Sequence, residues 1–379
     1  MNILAIESSC DETAAAIIKG TKTAELLSNI VVSQIDIFKE YGGVIPEVAA
    51  RSHLEAILPV IHKAFKDAGL VKKDSQDPTK TEDDWSKIDA IAVTHTPGLL
   101  GSLLIGTLTA RTLAILHKKP LYAVHHLKSH IYATWLEKEK PTFPLLALVI
   151  SGGHTQIIYM KKHNDFKIIG TTLDDAVGEC FDKVAKILGL PYPGGPSIAQ
   201  AAKGILPEKA QALSKNSLVS PGDPRRYHFP HPNAKSLDFS FSGLKTAVLR
   251  AVQQEVGKPI SFPSHQLAEL LTAQQKADFA ASFEATACDI LLEKLEKAIK
   301  KYPDVKSVVI AGGVSANEEL RWKSQKFSTK IGLPVYFPAK NFSGDNATMV
   351  GMAAFYEIST KAKPTDPYKL NILPRSEIK

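Results

Sequence analysis

His126 and His130 stand four residues apart in Val124-His-His-Leu-Lys-Ser-His130. Side chains at i and i+4 lie on one face of a helix, so the two imidazoles can converge on a single metal ion. The run Pro120-Leu-Tyr-Ala-Val124 before them reads as a short buried strand. The pair would then open a helix just past a strand end, a common place for a site in α/β proteins. Spacing alone is weak evidence for a metal, because such pairs are often ordinary surface or core residues. A zinc-peptidase centre needs a glutamate directly after the first histidine, and Leu127 stands there instead.

Four short polar segments follow predicted strands. Glu7-Ser-Ser-Cys-Asp-Glu-Thr13 could cradle a phosphate, and Asp11 or Glu12 could hold a cation or orient water. Ser151-Gly-Gly-His-Thr155 occupies the equivalent turn further along, where glycines let the backbone approach an anion closely. Ala311-Gly-Gly-Val-Ser-Ala-Asn317 ends a β-branched strand and opens a helix; Asn317 could cap that helix or bind a sugar hydroxyl. Asn341-Phe-Ser-Gly-Asp-Asn346 precedes the last long helix, and Asp345 could be its cap or a metal ligand. Each segment alone is compatible with a simple turn.

The elements that must position these residues read as follows. Strands are predicted over 2–7, 13–19 and 24–34, separated by polar turns as in an antiparallel meander. A helix over 48–68 has apolar residues at helical spacing. Residues 71–87 are charged and read as a solvated loop. A strand over 88–94 and a helix over 98–118 follow. The pattern then restarts with strands over 145–151, 155–160 and 166–170 and a helix over 175–188. Later come two helices over 264–302, a strand over 307–311, a helix over 316–326, a strand over 334–338 and a helix over 347–359. This is a duplicated strand-strand-strand-helix-strand-helix unit, which predicts an α/β protein of two lobes with a central cleft.

With 379 residues, two domains are expected, and 44% hydrophobic with 22% charged residues describes a globular chain. No apolar run is long enough to span a bilayer, and no signal or transit pattern opens the sequence, so no membrane association and a cytoplasmic location are expected. Three widely spaced cysteines argue against a disulfide framework. The net charge of +7 permits an anionic partner such as RNA without showing one. The basic run Pro224-Arg-Arg-Tyr-His228 could touch RNA, although a solvated loop is the better reading.

Taken together, the segments resemble the bacterial TsaD type of the universal tRNA threonylcarbamoyladenosine transferases, members of the actin-like, sugar-kinase and Hsp70 (ASKHA) superfold. The resemblance runs from Asn2 to about Tyr356. Besides the four segments and the histidines, it is carried by Tyr41-Gly-Gly-Val-Ile-Pro-Glu47, Gly178-Glu179, Phe181-Asp-Lys183, Tyr192-Pro-Gly-Gly-Pro196 and Asp238-Phe-Ser-Phe-Ser-Gly-Leu-Lys-Thr246. It implies a two-lobed actin-like fold, with an N-terminal lobe over 1–120, a C-terminal helix over about 345–362 packing back on it, and a second lobe over 121–344 with insertions near 204–237. His126, His130 and Asp345 would hold one divalent metal ion, with iron(II) favoured and zinc possible. Val149, Ile150, Ser151, Gly152, Gly153, Asp182, Gly195 and Asn317 would contact the nucleotide or substrate, and Asp11 and Glu12 match acidic positions of the catalytic cleft. The implied reaction moves threonylcarbamoyl from threonylcarbamoyl-AMP to the N6 amine of adenosine 37 in tRNAs reading codons that begin with adenine, releasing AMP. The implied partners are tRNA, a paralogous actin-like subunit of the TsaB type and a small P-loop ATPase of the TsaE type. One departure is Gly344 before Asp345, where the family more often has threonine.

Overall fold

The computed structural model of the chain describes residues 1–73, 81–203, 226–231, 236–376 and 378. β1 (Asn2–Glu7), β2 (Glu12–Gly20) and β3 (Ala24–Ser33) form the expected antiparallel meander. The short α1 (Ile35–Lys39) and the long α2 (Pro46–Asp67) follow. β4 (Val71–Lys73) and β5 (Thr81–Asp83) then pair with each other, so part of the segment read as a solvated loop is a small antiparallel ribbon. Next to it Trp85 packs on Phe65 and stacks on His117, which ties the ribbon to α2. β6 (Ala90–Thr96), α3 (Leu100–Leu116) and β7 (Leu121–His125) complete the first unit. β6 adds in parallel to β1, and β7 in parallel to β6, giving the order β3-β2-β1-β6-β7. The first sheet therefore takes in residues 121–125, beyond the expected boundary at 120.

α4 (His126–Tyr132) leads to a second sheet. Its strands are β8 (Leu145–Ile150), β9 (Thr155–Met160), β10 (Phe166–Thr171), β11 (Ser307–Ala311) and β12 (Val335–Tyr336), in the order β10-β9-β8-β11-β12. Strand for strand this repeats the first sheet, including its antiparallel-then-parallel sense. The duplication is plainer in the topology than in the sequence. The helices of this half are α5 (Val177–Ile187), α6 (Gly194–Ala202), α7 (Ser242–Glu255), α8 (Ser264–Leu267), α9 (Ala273–Lys301) and α10 (Glu318–Ile331), and α11 (Ala347–Ser359) closes the series. Residues 204–225 and 232–235, which hold most of the expected insertion and Pro224 and Arg225, lie outside the described residues.

The sheets bury both faces, and period-2 alternation sorts their side chains into separate cores. Leu4, Ile6, Ile17 and Val93 face α2 and α3. Ile3, Ala5, Ile18 and Ala92 face the other way, into a core shared with α4, α11 and the inner face of the second sheet (Leu145, Ala147, Val149 and Val309). Leu146, Leu148, Ile157 and Ile310 face α5, α7 and α9. The molecule is thus layered helix, sheet, helix, sheet, helix, which is the two-lobed actin-like architecture. Among the described residues no helix is long and apolar enough to cross a membrane.

Candidate metal centre and nucleotide cavity

β7 ends at His125, and α4 begins at the next residue, so the chain turns from strand to helix at the histidine pair. His125 turns away from the cluster: its Nδ1 accepts from the Leu127 amide at 3.3 Å, and its Nε2 lies 3.3 Å from the Ser376 carbonyl oxygen. Burial pushes its pKa down to about 3, so it remains neutral. His126 and His130 point the other way. Their Nε2 atoms are 3.2 Å apart, and Asp345 Oδ1 lies 3.1 Å from His130 Nε2 and 3.5 Å from His126 Nε2.

Asp345 reaches the cluster because Asn346, and not Asp345, caps α11: Asn346 Oδ1 accepts from the Met349 amide at 3.0 Å. The neighbouring carboxylate is left for other work. Burial pushes the Asp345 carboxyl up, but the His126 and His130 imidazoles outweigh it and hold the carboxyl at about 2. In the same field, burial pushes His126 down, yet the Asp345 and Glu7 carboxylates raise it to about 9. A positive charge is wanted at this point, and a bound cation would supply it in place of the proton.

Sequence reasoning gave Glu7 no separate role. It is fully buried at the end of β1, with Oε2 3.4 Å from His126 Nδ1. Glu7 Oε1 accepts from the Ser9 amide at 2.6 Å, Oε2 accepts from Thr94 Oγ1 at 2.5 Å, and Ser9 Oγ lies 3.2 Å from His126 Nδ1. A carboxylate can only accept, so it places the His126 proton on Nδ1 and turns the Nε2 lone pair towards Asp345. The sequence signal was present: an acid ending an apolar strand is costly to bury without a partner. Two nitrogens and one carboxylate oxygen whose donor atoms all lie within 4.8 Å of one another suit a divalent transition metal and leave coordination positions open.

A cavity of about 560 Å³ is lined by Gly152, Gly178, Phe181, Asp182, Tyr192, Gly195, Gly313 and Asn317 among others. These residues come from the carboxyl ends of β8 and β11 and from the helices that follow, the usual place for a ligand in open α/β sheets. Gly178 allows the Ser151–Gly152 turn to press on the start of α5, since a Cβ there would lie 2.5 Å from the Ser151 carbonyl oxygen. Gly312, at φ +94°, lets the chain turn close against β8, since a Cβ there would lie 2.3 Å from the Ile150 carbonyl oxygen.

Of the expected substrate residues, Gly152, Asp182, Gly195 and Asn317 line this cavity. Ser151 instead closes the turn: its amide donates to the His154 carbonyl oxygen at 2.8 Å, and its Oγ accepts from the His154 amide at 3.2 Å. Gly153 faces a second cavity on the other side of that turn. Val149 and Ile150 are fully buried in β8, so their side chains line neither cavity and act by positioning the turn. Asp182 accepts from the Gly194 amide at 2.7 Å, and burial raises its pKa. Asn317 is committed at both ends of its amide. Oδ1 accepts from the Leu320 amide at 2.9 Å, capping α10, and Nδ2 donates to the buried Glu284 at 2.6 Å.

Asp11 and Glu12 lie where the turn after β1 enters β2. Burial pushes the Glu12 carboxyl well above its usual range, with Asp345 and Asp11 adding to the effect, so the three carboxyls share one electrostatic neighbourhood. The basic run is already engaged where it is described: Arg226 pairs with Asp278 at 2.9 Å and Glu255 at 3.0 Å, and Tyr227 stacks on Phe279.

Fold and site define an actin-like protein with a candidate metal centre and a cavity at the carboxyl end of its second sheet. Comparison with known proteins makes this specific. The family model TsaD, tRNA N6-adenosine threonylcarbamoyltransferase, matches residues 25–352. Proteins of that name from Moorella thermoacetica and Bacillus subtilis (strain 168) are 42% and 43% identical. The first covers 98% of this chain and 96% of its own, the second 93% and 89%. Among solved structures, component A of the (R)-2-hydroxyglutaryl-CoA dehydratase of Acidaminococcus fermentans aligns with a TM-score of 0.49 at 13% identity, covering 95% of this chain and 99% of its own. The chain belongs to the TsaD family of tRNA N6-adenosine threonylcarbamoyltransferases.

Proposed function

We propose that the chain transfers threonylcarbamoyl from threonylcarbamoyl-AMP to the N6 amine of adenosine 37, with iron(II) held by His126, His130 and Asp345. The observation that carries this reading is the convergence of those three donors in a chain of this family, which also has a cavity bounded by Gly152 and Asn317. The AMP part of the donor would occupy that cavity, with the backbone at Gly152, open on that side, offered to its phosphate. The ion would supply Lewis acidity to donor oxygens. In the reaction an N–C bond forms to the carbonyl carbon, the bond from that carbon to the phosphate oxygen breaks, and AMP leaves. The amine loses one proton. Asp11 or Glu12 would receive or relay it.

A paralogous actin-like subunit of the TsaB type would cover the leucines exposed on α2 and α3: Leu54, Leu58, Leu100, Leu104 and Leu108. The role of a TsaE-type P-loop ATPase follows from the resemblance alone. Cys10, Cys180 and Cys288 are free, which suits a reducing cytoplasm.

The test combines purified protein, its partners, unmodified tRNA and threonylcarbamoyl-AMP, with nucleoside analysis of the product. Formation of threonylcarbamoyladenosine, lost on chelation and restored best by iron(II), is the expected result. Undiminished product after complete chelation, or in Asp345→Asn, would remove the metal from the reading.

A further inference from the structure

The turn that carries Asp11 and Glu12 is held from outside at three successive carbonyl groups. The Ser9 oxygen accepts from the Leu99 amide at 2.8 Å, and the Asp11 oxygen accepts from the Gln34 amide at 3.0 Å. Between them, the Cys10 oxygen takes side chains from two helices. His53 Nε2 from α2 lies 2.9 Å away, and Ser102 Oγ from α3 donates at 3.0 Å. His53 and Ser102 are fully buried. Burying a polar side chain is costly unless it is hydrogen-bonded, and both meet that need at the peptide group that leads into Asp11. Ser8 is drawn in the same direction: its Oγ donates to the Ser102 carbonyl oxygen at 2.8 Å. Gly106 leaves room for it, since a Cβ there would lie 2.2 Å from Ser8 Oγ.

His53 is tied to the chain on both sides of the acidic pair. A carbonyl oxygen only accepts, so the ring proton sits on Nε2 and Nδ1 is left as an acceptor. Thr13 Oγ1 lies 2.7 Å from Nδ1, and Gln34 Nε2 is a second donor at 3.4 Å. Burial pushes the His53 pKa down, so the ring stays neutral in this tautomer. One ring thus holds residue 10 before the acids and residue 13 after them. Both of its nitrogens are engaged there, which leaves neither for a substrate or an ion.

We propose that His53 is a positioning residue for the transfer step, fixing the peptide plane between Cys10 and Asp11 and so the direction in which the two acids meet the reacting amine. The inference rests on the reading above in which Asp11 or Glu12 receives or relays the amine proton. A misplacement of about 1 Å at such a group costs roughly 100-fold in rate. The donor is held elsewhere in that reading, in the cavity bounded by Gly152 and Asn317, so the effect belongs to kcat and not to KM.

The experiment compares His53→Gln with His53→Asn in the transfer assay above, with kcat and KM for threonylcarbamoyl-AMP measured separately. A glutamine amide takes the place of Nε2 and can donate to Cys10. An asparagine amide reaches only the place of Nδ1, where it serves Thr13 and leaves Cys10 without the bond. His53→Asn is expected to lower kcat about 100-fold with KM within about twofold of wild type, and His53→Gln to keep kcat within about threefold. Ser102→Ala removes the other donor to the same oxygen and should lower kcat about tenfold, again with KM unchanged. In an Asp11→Ala, Glu12→Ala background, His53→Asn should cost nothing further, because the groups it positions are gone. Equal losses in the two histidine variants, a loss confined to KM, a second full loss in the acid-free background, or wild-type kcat in His53→Asn would each overturn the proposal. Should a histidine variant fail to fold, wild-type kcat in Ser102→Ala would overturn it alone. Wild type that forms threonylcarbamoyladenosine leaves the transferase reading standing in all these cases, and wild type that forms none removes that reading first.

Discussion

Glu7 shows how a residue without contact to substrate governs the site. Replacing it with Gln keeps the volume but puts an amide where an acceptor-only carboxylate stood. With the Ser9 amide still claiming the remaining oxygen, the new NH2 group faces His126 Nδ1, and the imidazole must move its proton to Nε2, the atom needed for the metal. We therefore expect Glu7→Gln to lower metal affinity about 10- to 100-fold, as read by competition with a chromogenic chelator, while AMP affinity stays near wild type. At this scale the sequence displayed His126 and His130 by spacing, but Asp345 only through the family resemblance, since nothing local distinguishes a cap from a ligand. The distinction became visible once Asn346 was seen to take the cap. Val149 and Ile150 show the reverse: the resemblance counts them among the substrate contacts, while their side chains belong to the core.

Among the elements, α6 and α7 were absent from the sequence reading for different reasons. α6 opens Gly194-Gly195-Pro196, a composition that disfavours helix, and packing on α5 and α9 overrides it. α7 buries Leu244, Val248 and Val252 at four-residue spacing, a legible helical stripe obscured by the polar residues around it. The start of α10 at Glu318 follows from the Asn317 cap, and that cap leans on Glu284 of α9. Burial pushes the Glu284 carboxyl up to about 7 from an ordinary 4.5. Between those values the folded protein holds a proton that the unfolded chain has released, so stability is lost as pH rises through this window. Glu284→Gln should relieve that loss: its melting temperature should exceed wild type at pH 8 and match it near pH 5, by an amount equivalent to at most about 3 kcal/mol. An equal gain at both pH values would show that titration of Glu284 is not the cause.

For the whole molecule, the repeat of strand-strand-strand-helix-strand-helix announced two similar halves, and both sheets carry it. The sequence did not announce that α4 and α11 lie between the sheets, because their apolar residues read the same whether one sheet or two face them. It also gave no warning of the leucines left outside on α2 and α3; Leu54 is 65% and Leu58 61% exposed, although both belong to the apolar residues at helical spacing in α2. A Leu54→Glu, Leu104→Glu double variant should keep its melting temperature within about 2 °C, since exposed sites contribute little to stability. It should lose association with the paralogous subunit by about 100-fold or more, in line with truncation of interface anchors; analytical ultracentrifugation of the mixture reads this directly.

The candidate ligands His126, His130 and Asp345, with Glu7 behind them, rise from the first sheet and from the helical layer that both sheets share, whereas the residues lining the cavity at Gly152 and Asn317 come from the second sheet and its helices. Loading the ion and loading a ligand in the cavity are therefore distinct equilibria, although the core shared between the sheets joins the two sets of residues. A molecule that touches both sets, as the proposed acyl-adenylate would, gains contacts to each, so thermodynamic coupling between ion and ligand measures the span of that ligand. AMP alone should show little coupling and the intact donor much more, which makes the difference between the two a ruler for that span.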